Sequence, residues 1–490
     1  MLIPLVWGST EGMAMMGRRD RDQGKLFYAF NLQDRVPANH LLRRIDPFVT
    51  VALEDLYAEL RPFYSDIGRP SVDPELMIRM LIVGYYYGIR SERRLCQEVD
   101  LNLAYRWFCR LDLDDPIPHH ATFSVNRLGR FRESDILRHV FEKIVDTAMM
   151  LGLVKGEGFA VDASVLEANA SRYHGKEPSE LNWSDKQRGA RAVQEYLAAL
   201  ESQIAEQREI ERDGQQEDHG PETPRRRKWR RKTPKVISPS DPMSAWTAKA
   251  NKRVQFGYGL NYLIDVEHAV IVDVEATPAR TFDEVAATKI MIDRTQERLA
   301  LKPKRLLADT AYGTGDFLGW LVKERQITPH IPVWDKSQRD NGTFSRDDFA
   351  FDKKRNRYTC PAGQTLTTTG RVHRNGSVRY LISITTCRAC PLKQHCCPNM
   401  AARQITRDAN EDARDVARRK MKTKAFERSR DLRKKVEMRF GHLKTHHGFD
   451  RLRLRGLTGA RDEFVLAAIV QNLKTLALKL LKPWPETIQT

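Results

Sequence analysis

The sequence predicts an α/β domain behind an all-α N-terminal domain, with a Cys-bearing insertion late in the chain. Three observations carry this. Apolar residues recur at helical spacing through residues 40–151. From about residue 155 short apolar runs rich in Val, Ile and Tyr alternate with helical patterns, the order of a sheet with crossover helices. Five of the seven cysteines crowd between Cys360 and Cys397. A chain of 490 residues is long enough for two or three domains.

Residues 40–60, 73–90, 92–111 and 132–151 read as amphipathic helices. Pro62, Gly68 and Pro70 separate the first two, and Leu137, Val140, Phe141, Ile144 and Val145 give the last its apolar stripe. We take 1–45 as an N-terminal extension, 46–151 as the helical domain and 152–484 as the α/β domain. MLIPLVWG is too short and lacks the basic lead of a signal peptide, and Met15 or Met16 opens a more typical start.

Phe159, Ala160 and Val161 read as a buried strand ending at Asp162. A polar interruption over 172–240 follows, with a charged helix at 185–213 that suits pairing with another helix or another subunit, a solvated arm being the plainer alternative. The arm closes in PRRRKWRRKTPK, where eight of twelve residues are Arg or Lys. Arg225, Arg226, Arg227, Lys228, Arg230 and Arg231 are suited to nucleic-acid phosphates, and Trp229 to stacking on an exposed base; the plain alternative is a solubilising linker. Residues 254–264 and 269–276 read as strands, 282–299 as a helix and 304–309 as a strand ending at Asp309. A helix at 315–325 and an edge strand at 328–334, marked by Pro329 and Pro332, come next. The insertion spans 335–405, and residues 460–481 form a last amphipathic helix.

The stretch RDLRKKVEMRFGHLKTHHGFDRLRLRG, residues 430–456, is the most informative. Arg433, Glu437 and Lys444 lie four and seven residues apart, so a helix running through Gly441 puts all three on one face, beside an apolar stripe of Val436, Phe440 and Leu443. A solvated i,i+4 ion pair is the plain reading of Arg433 and Glu437. Asp162 and Asp309, each closing an apolar strand, are the reason to read more into it, although either alone also suits a turn or cap.

These three segments together resemble the DDE transposases of bacterial insertion sequences, in the branch with a Y-x2-R-x3-E-x6-K signature. Asp162-Ala163-Ser164 is similar to that family's first strand motif, Ala308-Asp309-Thr310-Ala311-Tyr312 to its second, and Arg433, Glu437 and Lys444 to its third; Arg430 stands where the tyrosine is expected. Residues 68–111 with HHATFSVNRLGRF at 119–131 resemble the helical DNA-binding domain that often precedes the catalytic one. The resemblance implies a ribonuclease H-like fold. It also implies Asp162, Asp309 and Glu437 as ligands of two Mg²⁺ or Mn²⁺ ions, and Arg433 and Lys444 as contacts to DNA near the scissile phosphate. The implied activity is cutting and joining of element ends. A catalytically silent DNA-binding protein and a metal-dependent nuclease are the alternatives. Tyr312 is the nearest candidate for a covalent nucleophile, but no Arg-His-Arg constellation accompanies it. His446 and His447 suit phosphate contact or a structural role.

Bulk properties agree with that expectation. A net charge of +18 and a pI near 9.6 call for a polyanionic partner, here double-stranded DNA bound by a homodimer. No apolar run approaches a membrane span, so no membrane partner is expected and the location is cytoplasmic, with the nucleoid. CRACPLKQHCC and YTCPAG place Cys360, Cys387, Cys390 and Cys396 in a pattern that fits a structural zinc; reduced thiols are the other reading.

Overall fold

A computed structural model describes residues 30–65, 67–68, 71–181, 190–202, 234–248, 253–333, 342–373 and 376–480. The basic block containing Arg225, Arg226, Arg227, Lys228, Trp229, Arg230 and Arg231 lies outside the described residues.

The N-terminal region is helical: α1 Leu41–Ala52, α2 Pro74–Tyr86, α3 Glu92–Leu101, α4 His120–Leu128 and α5 Ile136–Met150. Each start has a local cause. Asp73 accepts from the Glu75 N–H at 2.8 Å, with Pro74 in the first helical position, where its missing donor costs nothing. The expected helix over 92–111 breaks at Asn102, whose side chain caps a new turn, Leu103–Phe108, through the Ala104 and Tyr105 N–H groups. The expected helix over 40–60 likewise divides, with Leu56–Leu60 as a separate turn. Arg79 is fully buried. It is held by Asp46 at 2.8 Å, Glu75 at 2.7 Å and Thr50 at 3.0 Å, so every strong donor direction is met.

The sheet follows: β1 Phe159–Glu167, β2 Ala245–Thr247, β3 Gln255–Asp265, β4 Ile271–Pro278, β5 Arg305–Leu307 and β6 Thr328–His330. Its order is β4-β3-β1-β5-β6, with β2 on the first residues of β3. The first three long strands are antiparallel, and β5 and β6 run parallel to β1. The β3–β4 turn is tied by Asp265, whose Oδ1 accepts from the Glu267 and His268 N–H groups at 2.9 and 3.0 Å. The crossover from β4 to β5 is α6 Thr281–Leu299. After β5 the chain makes a helical turn, Gly315–Gly319, that continues as a π-helix through Glu324. β6 is an edge strand, as Pro329 requires, but shorter than expected.

Three further helices end the described chain: α7 Glu411–Met421, α8 Lys424–His446 and α9 Gly456–Leu480. Helix α9 is buried on nearly every side, from Phe464 through Ala477. It packs on β4 and on α1, α2 and α5, so the helical region and the sheet share one hydrophobic core. Polar ties complete the joint. Asn472 both donates to and accepts from the Ile271 backbone at 2.8 Å. Asp273 and Glu275 on β4 are gripped by Arg138 of α5, Arg294 of α6 and Arg461 of α9, at 2.7 to 3.1 Å. Part of the arm pairs with another helix, the first of the two readings open for it. Residues 191–202 are helical and dock on the start of α9, where Arg191 and Glu195 bond Thr458 and Ala192 and Val193 are buried.

Candidate active site

Strand β1 runs past Asp162 to Glu167, correcting the expectation that it ends there. The cause is β3, which continues the pairing on one side: Asp162 lies opposite Tyr262 and Glu167 opposite Gly257. On the other side β5 stops early. Ala160 is opposite Leu307, the last parallel pair, so Asp162 and Asp309, two residues further on, stand level at the open C-terminal edge of β5. In parallel sheets this edge is where ligands are held. Asp309 is therefore past its strand. Its Oδ1 accepts from the Ala311 N–H at 2.8 Å, capping the turn Thr310–Tyr312.

Helix α8 supplies the third carboxylate. Thr423 caps its start, its body continues through Gly441, and Val436, Phe440 and Leu443 are buried against the sheet. Phe440 stacks on Tyr262 of β3 with ring centroids 5.0 Å apart, which fixes the helix over β1. The outward face then meets Asp162. Arg433 Nη1 reaches Asp162 Oδ2 at 3.2 Å while Nη2 holds Glu437 Oε1 at 2.7 Å, so one guanidinium bridges two carboxylates. Two turns on, Lys444 Nζ donates to Ser164 Oγ at 2.9 Å and to the Val165 carbonyl at 3.4 Å. Asp162 and Ser164 share a strand face, so Arg433, Glu437 and Lys444 track along it together.

The electrostatics follow from this crowding. Burial pushes the Asp162 carboxyl above the usual carboxylate range. The Ala163 N–H and Arg433 oppose that, and the charges of Asp309 and Glu437 add to it. Glu437 remains half exposed. The donor set is oxygen only, which suits a hard divalent cation, and Arg433 marks the place between Asp162 and Glu437 where positive charge is already favoured. Among the described residues, the three carboxylates do not all close to within 4.8 Å of one another. A tighter cluster, Asp55, Glu59 and His139, lies in the helical region, but Lys143 already pairs with Asp55 there at 2.7 Å.

Two other cations on α8 have structural work. Lys435 donates to the Val266 and Glu267 carbonyls at 2.7 and 2.8 Å, and Arg439 to the Ala269 carbonyl at 2.8 Å and to Thr475. His447 is buried, its Nδ1 2.9 Å from the Tyr86 carbonyl of α2, so it joins the helical region to α8; His446 is exposed. Arg430, in the place of the expected tyrosine, is exposed. Tyr312 is buried, and burial holds its hydroxyl far above the ordinary phenol range, which disfavours the phenolate that a nucleophile would need. Sequence reasoning passed over His330, at the end of β6, whose Nδ1 lies 2.6 Å from Ser429 Oγ on α8; no local pattern marks such a pair. Cys360, Cys387, Cys390 and Cys396 come together around one small cavity, joined by Cys397, well away in sequence from Asp162 and Asp309.

Residues 30–128, essentially the first four helices, match the family described as Transposase domain (DUF772). Residues 359–477, which include the five clustered cysteines, Arg433, Glu437 and Lys444, match the family described as Transposase DDE domain. No curated protein and no solved structure matches the chain. DDE domains generally use divalent metal ions, which the oxygen-only donor set fits. With a transposase domain matched toward one end and a transposase DDE domain toward the other, the two matches together support an insertion-sequence DDE transposase.

Proposed function

We propose that this transposase cuts and joins the ends of its element by hydrolysis and transesterification of phosphodiesters. Asp162, Asp309 and Glu437 are its catalytic ligands for two Mg²⁺ or Mn²⁺ ions. The observation that carries the reading is the level placement of Asp162 and Asp309 beyond the last β1–β5 pair, with Glu437 brought to Asp162 through Arg433. The sheet order β4-β3-β1-β5-β6, three antiparallel strands followed by two parallel ones, supports a ribonuclease H-like catalytic domain over 152–484. The R-x3-E-x6-K face supports the Y-R-E-K branch, without its tyrosine.

When bound, the divalent ions supply Lewis acidity to the scissile phosphate, the attacking hydroxyl and the leaving 3′ oxygen. The chain's own residues do the rest. Asp309 is oriented by its bond to the Ala311 N–H, and Asp162 by its bond to the Ala163 N–H. Arg433 and Lys444 bring positive charge to the DNA backbone beside the scissile phosphate, Arg433 from its bridge between Asp162 and Glu437 and Lys444 as a point charge. The helical region 46–151 and the block from Arg225 to Arg231 with Trp229 add DNA contact, and two chains on two ends form the working dimer. No described helix is long and apolar enough to cross a membrane, and we place the protein in the cytoplasm, on the nucleoid.

The test is a joining assay with pre-cut element ends, target duplex and Mg²⁺ or Mn²⁺. Joined product is expected. Hydrolysis without joining would make the protein a nuclease, and binding without either reaction a silent DNA-binding protein.

A further inference from the structure

The segment 342–408 forms its own small fold. Strands β7 Ala350–Asp352, β8 Arg357–Thr359 and β9 Thr365–Leu366 make one antiparallel sheet, and β10 Ser377–Leu381 pairs with β11 Gln404–Asp408. Its buried apolar core, separate from the main one, consists of Phe349, Tyr358, Leu366, Tyr380 and Ile405. Folds of this size usually need a staple beyond so small a core, whether disulfide, metal or docking.

No disulfide is present among the described residues; all seven cysteines are free thiols. The five in this segment line one cavity of about 20 Å³, room for a single ion or water. Two of the sulfurs are already hydrogen-bond acceptors. The Gln364 N–H donates to Cys360 Sγ at 3.3 Å, in a turn closed by Gly363 at φ +75°, and the Arg403 N–H donates to Cys387 Sγ at 3.4 Å. Backbone donors aimed at sulfur hold a thiolate ligand in place. Lys393 and Arg403 also line the cavity, which offsets the negative charge that four thiolates would bring. No three of the sulfurs lie within 4.8 Å of one another. Zinc–sulfur bonds of about 2.3 Å set tetrahedral sulfurs about 3.8 Å apart, so metal binding would draw at least one pair in any three inward by about an ångström or more.

We propose that this cavity binds one Zn²⁺ through Cys360, Cys387, Cys390 and one thiolate of the adjacent Cys396–Cys397 pair. The ion is structural, and independent of the carboxylate site. Each thiol releases its proton as its sulfur binds, so four protons leave for each ion taken up.

The test is metal analysis of the purified full chain. One zinc per chain is expected, released by a mercurial in proportion to blocked thiols, and retained by Asp309→Asn and by Cys96→Ser. Cobalt(II) exchanged into the same protein should show thiolate-to-cobalt charge-transfer absorption and tetrahedral d–d bands, a readout that needs no variant to fold. Cys360→Ser with Cys390→Ser should lose the zinc. Less than a tenth of an equivalent of zinc, cobalt spectra without thiolate bands, or a disulfide among the five cysteines would overturn the proposal. Full zinc retention by Cys396→Ser with Cys397→Ser would overturn the ligand set.

Discussion

Asp309 caps a turn in this structure and is a metal ligand in the proposed function, and Asp309→Asn separates the two roles. Its Oδ1 accepts from the Ala311 N–H at 2.8 Å and caps the turn Thr310–Tyr312. Asparagine caps about as well as aspartate, so the substitution should move stability by no more than about 0.5 kcal/mol; Asp309→Ala, which deletes the cap, should cost about 1 kcal/mol. The charge is a different matter. In the proposed function a neutral amide would replace one of three anionic oxygen ligands where a dication would sit against a phosphate. If that removes about 4 kcal/mol of transition-state stabilisation, cleavage slows about 10³-fold. The assay is single-turnover cleavage of a labelled duplex carrying the element end, in Mg²⁺ or Mn²⁺, beside thermal unfolding of the same preparation. If Asp309→Asn cleaves within about tenfold of the parent protein at unchanged melting temperature, the carboxylate is only a turn cap and the catalytic assignment fails.

Three further predictions concern the frame around the site. Arg138 is buried, with Nη1 2.7 Å from Asp273 and Nη2 2.7 Å from the Val274 carbonyl, so Arg138→Met strands part of a buried charge and should cost about 2–4 kcal/mol in urea unfolding; a loss below about 0.5 kcal/mol would mean that Arg294 alone satisfies Asp273. Burial pushes the Asp241 carboxyl up to about 6 from 3.8, and its partners are the neutral Tyr258 hydroxyl and Gly456 N–H. Such a group favours the fold below about pH 4, and that contribution is lost as pH rises through about 6. The stability of Asp241→Asn relative to the parent should therefore rise by up to about 3 kcal/mol across this window, and a flat difference would refute the buried-acid reading. A Cβ on Gly315 would lie 2.1 Å from Asp408 Oδ1, so Gly315→Ala must push aside the carboxylate that holds the Asn410 N–H, and should lower stability by about 1–3 kcal/mol by thermal melt.

What could be read from the sequence was what local spacing encodes. Arg433, Glu437 and Lys444 share a face because helical geometry alone puts them there, and the Val436, Phe440 and Leu443 stripe predicted which side would dock. Pro329 similarly forecast an edge strand. The level of Asp162 with Asp309 was not legible, because it depends on where β5 stops pairing, a register between residues almost 150 apart. Asp162 looked like a strand end because polar residues follow it; β3 carries the strand on regardless. The spacing of the charged helix read at 185–213 left docking and solvation both open, and it could not name the partner, because Arg191 and Glu195 meet Thr458 some 263 to 267 residues along the chain. The clamp on Asp273 and Glu275 draws its arginines from three helices far apart in the chain, and no window of sequence contains it.

The burial of α9 has a geometric consequence. A helix shared by the N-terminal bundle and the sheet works as an axle rather than a tether: in the proposed function, any DNA the bundle gripped would be presented to Asp162, Asp309 and Glu437 at a set offset and angle. The distance from the gripped sequence to the cut would then be built into the protein as a length, in the manner of a jig. Lengthening the joint between α5 and β1 could not relax it, because the setting is kept by side chains interlocked around α9 and not by the intervening loop.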